Sequence, residues 1–287
     1  MQWSPEATVP ESSSQPHSIS ISARHKTPPP QAQRQLHTDM ASTNHAVEQE
    51  AAESEPIKFL SKEEARAMEK ELYEEYRFGQ QQLIEICGHS CAMAIAKAYP
   101  LSSLTRKQPT VLVICGQEQN GAIGLVCARH LRIFEYEPTI FYPKRSCKSL
   151  FLDFTVQCEK MDIPFLSYLP TEVQLINDAY NLIVDSMQGL SDEAGLKEQY
   201  CNILTTLKQV KIPIISVDVP SGWDAEKGKD DGINPEVLIS LVAPKKCATH
   251  FSGKSHFLAG RYLPYDLQKK YALNLPDYPG TESIVQL

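Results

Sequence analysis

The sequence predicts an α/β fold: a three-layer α/β/α Rossmann-like sandwich with a mostly parallel central sheet. Two observations predict it. From Thr110 onward, short unbroken Val/Ile/Leu runs alternate with segments of helical period, the mark of parallel strands covered on both faces. The first run, TVLVIC, leads through the glycine-bearing turn GQEQNGAIG (116–124) into the first of those helices, which is the strand–turn–helix unit of doubly wound sheets.

Helical order begins at FLSKEEARAMEKELYEEY. Ser61 followed by Glu64 forms a capping box, and Ala65, Met68, Leu72 and Tyr76 make an apolar stripe. QQQLIEICGHSCAMAIAKAY is a second helix, apolar almost all round from Cys91 to Ala98. Such a helix is either core or covered by a second copy of the chain. There follow a strand (TVLVICG), a helix (AIGLVCARHLRIF), a strand (PTIFYP), a helix (SLFLDFTVQCEKM) and two strands (IPFLSYL, YNLIVDSM). A further helix (EQYCNILTTLKQV) and two more strands (IPIISVDVP, EVLISLVAP) complete the alternation.

Before residue 58, Pro, Ser, Gln, His and Thr dominate, with TPPPQAQRQ as the extreme. Such a stretch cannot bury enough apolar area to offset its ordering entropy. Residues 1–57 are therefore expected to form a disordered tail and residues 58–287 the folded domain, with Met40 as an alternative start. No apolar run approaches the roughly 20 residues that span a bilayer, and the N-terminus lacks the apolar core of a secretory signal. The expected location is cytoplasmic, or secreted without a visible signal peptide. The Ser-rich start with scattered basic residues leaves the mitochondrion open. A net charge of −7 argues against nucleic-acid binding. The eight cysteines include no Cys-x-x-Cys pair and no zinc-type spacing, so buried free thiols are expected.

Ligands in open α/β sheets sit at the carboxyl ends of the strands, and four ends stand out. Asn120 follows TVLVIC, Asp185 ends YNLIV, Asp218 ends IPIISV, and Lys245 follows LISLVAP. Two carboxylates, an amide and a lysine would thus converge on one crevice, although a strand-end Asp equally well caps a local turn. The dinucleotide fingerprint Gly-x-Gly-x-x-Gly fails at Glu118, and SGKS (252–255) lacks the earlier glycine of a phosphate loop because residue 248 is Ala.

NGAIGLVCARHLRIFEYEPTIFYPKR, QCEKMDIPFL, VDVPSGWDAEKG and LISLVAPKKCAT together resemble the YjeF N-terminal domain family, which includes the NAD(P)HX epimerases, also called apolipoprotein A-I-binding protein. The resemblance covers roughly residues 59–287, and YRFGQQQLIEICGHSCAMAIAKAYP is similar to one animal branch of the family. It implies a Rossmann-like fold, usually a homodimer, and interconversion of the R and S forms of hydrated NAD(P)H. It implies substrate contacts at Asn120, Gly121, Gly189 and Asp218, and a catalytic Asp185 where activity is retained. Asn120, Asp185 and Ser221 would hold K+, the one cofactor it suggests.

Two loops depart from the family pattern. Its first loop is of the type GPGNNGGDG. Here Gln119 replaces the first Asn, Ala122 a Gly and Ile123 the Asp, which puts side-chain carbon where backbone would approach a phosphate. Its second loop is of the type GFSFKG. Here it reads GLSDEAG, without the lysine and with Asp192 and Glu193, which would repel phosphates. Asp185, Asp218, Ser221, Lys144 and Lys245 are retained.

Three functions are compatible with these residues. The loop departures favour an apolipoprotein A-I-binding-type protein promoting cholesterol efflux to high-density lipoprotein, and processes that depend on it such as angiogenesis, with a degraded epimerase site. The retained carboxylates support the alternative, a working NAD(P)HX epimerase. The third is a structural paralogue with a different small ligand.

Overall fold

Ser61 Oγ accepts the backbone N–H of Glu64 at 3.1 Å, and Glu64 Oε2 accepts that of Ser61 at 2.9 Å. The expected capping box therefore starts α1 (Lys62–Glu74) and satisfies two otherwise orphaned donors. Ala65, Met68 and Leu72 are its buried stripe. Tyr76, expected on that stripe, lies past the helix end and is exposed, because the chain turns away through Arg77 at φ 59°. The structure, a computed structural model, describes residues 55–104, 106, 108–190, 198–229 and 231–287. The expected disordered tail falls almost wholly outside these residues, as do Asp192 and Glu193 of the second loop.

After α2 (Gln80–Ala98) the alternation runs β1 (Thr110–Cys115), α3 (Gln119–Ile133), β2 (Glu137–Phe141), α4 (Ser149–Lys160) and β3 (Phe165–Leu166). It continues with α5 (Val173–Ala179), β4 (Leu182–Ser186), α6 (Glu198–Leu207) and β5 (Ile214–Val217). A small hairpin, β6 (Trp223–Asp224) and β7 (Gly228–Lys229), precedes β8 (Val237–Leu241), β9 (Ser255–Ala259), α7 (Tyr265–Lys270) and β10 (Ile284–Gln286). The main sheet has the order β10-β9-β8-β5-β4-β1-β2-β3, parallel throughout except for β10 against β9. The three-layer α/β/α fold with a mostly parallel sheet is thus as the alternation predicts.

Two features differ from the sequence reading, and a third settles part of an open choice. IPFLSYL forms only the two-residue edge strand β3, and a short edge limits the open row of backbone groups. SHFLA and IVQ become β9 and β10 by pairing with β8 and with each other, although neither shows a strand pattern of its own. The apolar girth of α2 is core: the helix packs against α3 on one side and meets β8, β9 and β10. Six of the eight cysteines are buried free thiols; Cys147 and Cys201 are exposed. No helix among the described residues is long and apolar enough to cross a membrane.

The direction of winding reverses at β1, which has β2 on one side and β4 on the other. Ile114 of β1 stands beside Asp185 of β4, which stands beside Ser216 of β5. This switch point, outside the strand carboxyl ends, is where such sheets form a crevice.

Candidate functional site

Asp185 ends β4 inside the protein. Its Oδ1 accepts Ser221 Oγ at 2.6 Å and Met187 N–H at 3.3 Å, and its Oδ2 accepts Ser216 Oγ and Ser221 N–H, both at 2.9 Å. Burial pushes its pKa up, opposed by these hydrogen bonds, those from Ser221 foremost. Asp185 and Ser221 thus lock the β4 and β5 ends together.

Asp218, one residue past β5, lies in the left-handed region at φ 66°, which Asp adopts more readily than most residues. Its Oδ1 accepts Lys245 Nζ at 2.5 Å and Leu241 N–H at 3.1 Å, and Lys245 Nζ also donates to Leu241 O at 2.7 Å. Lys245 is carried there by the turn after β8, where Leu60 bridges it in parallel. Both charges are buried.

Asn120 sits in the first turn of α3. Its side-chain amide donates to Val217 O at 3.3 Å, and its own carbonyl accepts Ser186 Oγ at 2.5 Å. The neighbouring glycines are required by close packing. A Cβ on Gly121 would lie 1.7 Å from Gly116 O, and one on Gly189, at φ 59°, would lie 2.7 Å from Asn120 Cβ. These positions preserve the turn whatever the loop binds.

A cavity of about 400 Å³ opens at this switch point, within the range of small-molecule sites. Asn120, Asp218 and Lys245 line it; Asp185 and Ser221 are buried and are not in the lining. Lys144 is exposed and is not part of the lining. The carboxylates and lysine of the sequence reading therefore meet only in part: Asp218, Lys245 and Asn120 at the cavity, Asp185 beneath.

Residues that the sequence reading did not place in a site complete the cavity and its hydrogen bonds: Glu118, Gln119 and Ile123, noted there only as departures from motifs, and Glu69, Tyr73, Gln80 and Cys87, which it did not single out for a site. Glu118 is the N-cap of α3, and its Oε2 pairs with Lys148 Nζ at 2.8 Å. Gln119 is clamped by helices α1 and α2. Its Oε1 accepts Gln80 Nε2 at 2.8 Å and Tyr73 OH at 3.2 Å, and its Nε2 donates to Glu69 Oε1 at 2.5 Å. Burial, and then the Glu69 charge, pushes the Tyr73 phenol up. Ile123 projects from α3 into the lining, and Cys87 lies on the wall with Sγ 3.5 Å from Tyr262 OH. Burial pushes the Cys87 thiol up to about 12, so at neutral pH it is a packed apolar group and no nucleophile.

A family model for the YjeF-related protein N-terminus matches residues 80–247. The chain belongs to this YjeF-related family. YjeF N-terminal domain-containing 3 of Danio rerio is 70% identical over 246 residues, covering 85% of this chain and 100% of that relative. YjeF N-terminal domain-containing protein 3 of Homo sapiens is 62% identical over 227 residues, covering 78% of this chain and 76% of that relative. The similarity to an animal branch of the family is as the α2 segment suggests. Among solved structures, the crystal structure of the yeast protein ynu0 superposes with a TM-score of 0.76 at 36% identity, covering 80% of this chain and 100% of that one. Helix α1, which supplies Glu69 and Tyr73, lies before the residues that match the YjeF model.

Proposed function

We propose that this chain is a non-catalytic member of the YjeF family. In this reading it is an apolipoprotein A-I-binding-type protein that promotes cholesterol efflux to high-density lipoprotein, and through it processes such as angiogenesis. The observation that carries the loss of catalysis is the N-terminus of α3. The positive end of a helix is the natural place for a ligand's phosphate. Here Glu118 is the N-cap residue and its carboxylate lines the cavity beside that end, Glu69 is hydrogen-bonded to Gln119 in the first turn, and Ile123 lines the cavity one turn on. A dinucleotide's phosphates would meet two carboxylates and a branched alkyl group. Lys148 offsets one of those charges from an exposed position. The partner, the efflux role and a homodimer rest on the family resemblance of the sequence.

The second reading, a NAD(P)HX epimerase, is supported by the intact Asp185–Ser221 and Asp218–Lys245 bonds. Asp185, Ser221 and Asn120 are oxygen-bearing side chains joined through β4 and β5, and a single carboxylate among neutral oxygens is donor chemistry suited to a hard cation such as K+. Bound there, K+ would supply a fixed positive charge beneath the cavity.

Purified protein incubated with R-NADHX separates the two readings. The proposal expects S-NADHX to appear no faster than in buffer, and expects lipid-free apolipoprotein A-I to be retained by the immobilised full chain. Turnover at an enzyme's rate, abolished by Asp185→Ala, would establish the epimerase instead. Failure to retain the apolipoprotein would remove the partner.

A further inference from the structure

We propose that the cavity is a binding site for a small organic cation with an apolar body, of alkylammonium type, whose head group sits at Glu69. The inference rests on the reading that the cavity disfavours phosphates and goes beyond it by naming what the cavity accepts.

Among the described residues, charge on the cavity wall is carried by three carboxylates and two lysines: Glu69, Glu118, Asp218, Lys148 and Lys245. Two of the carboxylates are matched, Glu118 by Lys148 at 2.8 Å and Asp218 by Lys245 at 2.5 Å. Glu69 is different. Among the described residues its hydrogen-bond partners are neutral donors, Gln119 Nε2 at 2.5 Å and Tyr73 OH at 3.3 Å, whose single proton is shared with Gln119 Oε1, and both reach the same oxygen, Oε1. Among the described residues, a negative charge with no cationic partner therefore remains on the wall. Opposite charges gain most where water is partly excluded, and Glu69 is only partly exposed.

The amides of Gln80, Gln119, Asn120 and Gln188 also line the wall, and the remainder is largely apolar. Met68 and Leu72 of α1, Leu83 of α2, Ile123 of α3 and Leu241 of β8 all line it. Tyr262 adds an aromatic ring, tilted against Phe78 with centroids 6.2 Å apart, and aromatic faces favour cations. An anionic ligand would add to the uncompensated charge. A neutral ligand would use the apolar wall and leave Glu69 unanswered. An ammonium on a short apolar chain uses both.

Three probes of one length test this: 1-hexylamine (protonated at pH 7), hexan-1-ol and hexanoate, each titrated calorimetrically into the full chain at low salt. The expected order is hexylammonium tightest, by about tenfold over hexanol, and hexanoate weakest. Glu69→Gln should bring hexylammonium to the level of hexanol while leaving the melting temperature near that of the parent. Ala65→Leu, which narrows the cavity from α1, should weaken hexylammonium and hexanol alike. The inference is overturned if no probe binds the folded chain, if the ammonium preference survives Glu69→Gln, or if Ala65→Leu has no effect. Those results leave the non-catalytic reading standing. Hexanoate binding as tightly as hexylammonium would also overturn the inference and would undercut the acid-lined cavity on which both readings depend. Epimerisation of R-NADHX, measured in parallel, reports on the non-catalytic reading alone.

Discussion

Lys245 Nζ lies 2.5 Å from Asp218 Oδ1, and both side chains are buried. Breaking such a pair from one side leaves a charge in a poor solvent, at a cost of about 3–5 kcal/mol. Lys245→Met should lower stability by that amount in urea unfolding. Adding Asp218→Asn should restore part of it, because Asn tolerates the left-handed backbone and carries no charge. A loss below about 1 kcal/mol in the single variant would mean that water already reaches the pair.

Asp185 predicts a structural cost independent of any turnover. Asp185→Ala leaves Ser216 Oγ, Ser221 N–H and Met187 N–H without their acceptor. Orphaned buried donors cost about 1–3 kcal/mol each before relaxation, so the variant should lose at least about 2 kcal/mol in chemical denaturation. A melt matching that of the parent would mean that these donors find other partners.

Ser61→Ala removes half of the capping box and should destabilise α1 by about 1 kcal/mol. Because α1 carries one wall of the cavity, amide exchange in residues 62–74 should accelerate ahead of the sheet. Unchanged exchange in the variant relative to the parent would show that packing, not the cap, holds the helix.

Gly121→Ala would place a Cβ 1.7 Å from Gly116 O, a backbone atom that cannot swing aside. The β1–α3 turn must then shift, and overpacking of this kind costs about 1–3 kcal/mol. Thermal unfolding checks it. An unchanged midpoint would show a turn loose enough to absorb a methyl group.

Acid stability should depend on His256. Its Nε2 lies 2.8 Å from Ser240 Oγ, and burial pushes the imidazole down to about 4 from its ordinary 6.5. The unfolded chain takes up the proton below pH 6.5 while the folded one resists until about 4. The stability tied to this group is complete above pH 6.5 and is lost as pH falls toward 4, to the extent of roughly 2–3 kcal/mol. Urea midpoints at pH 7.5, 5.5 and 4.5 should fall more steeply for the parent than for His256→Gln. Equal slopes would assign acid unfolding to other groups.

The alternation of apolar runs with helical periods determined the layers and most of the strands, because each such segment must bury a face wherever the chain takes it. The capping box determined where α1 starts, since both of its partners lie within one turn. The strand-end residues Asn120, Asp185, Asp218 and Lys245 were legible from the topology rule alone. The tertiary structure decided which of them face a ligand: Asp218, Lys245 and Asn120 line the cavity, while Asp185 turns inward onto Ser216 and Ser221. It also decided that most of α2 is core and that SHFLA and IVQ are strands, because helix packing and strand pairing depend on neighbours far along the chain. The clamp of Glu69 and Tyr73 on Gln119, 50 and 46 residues away, left no local signal. A hydrogen bond between distant side chains needs only that the fold bring them within about 3 Å, and no periodicity, cap or turn in the sequence records that meeting.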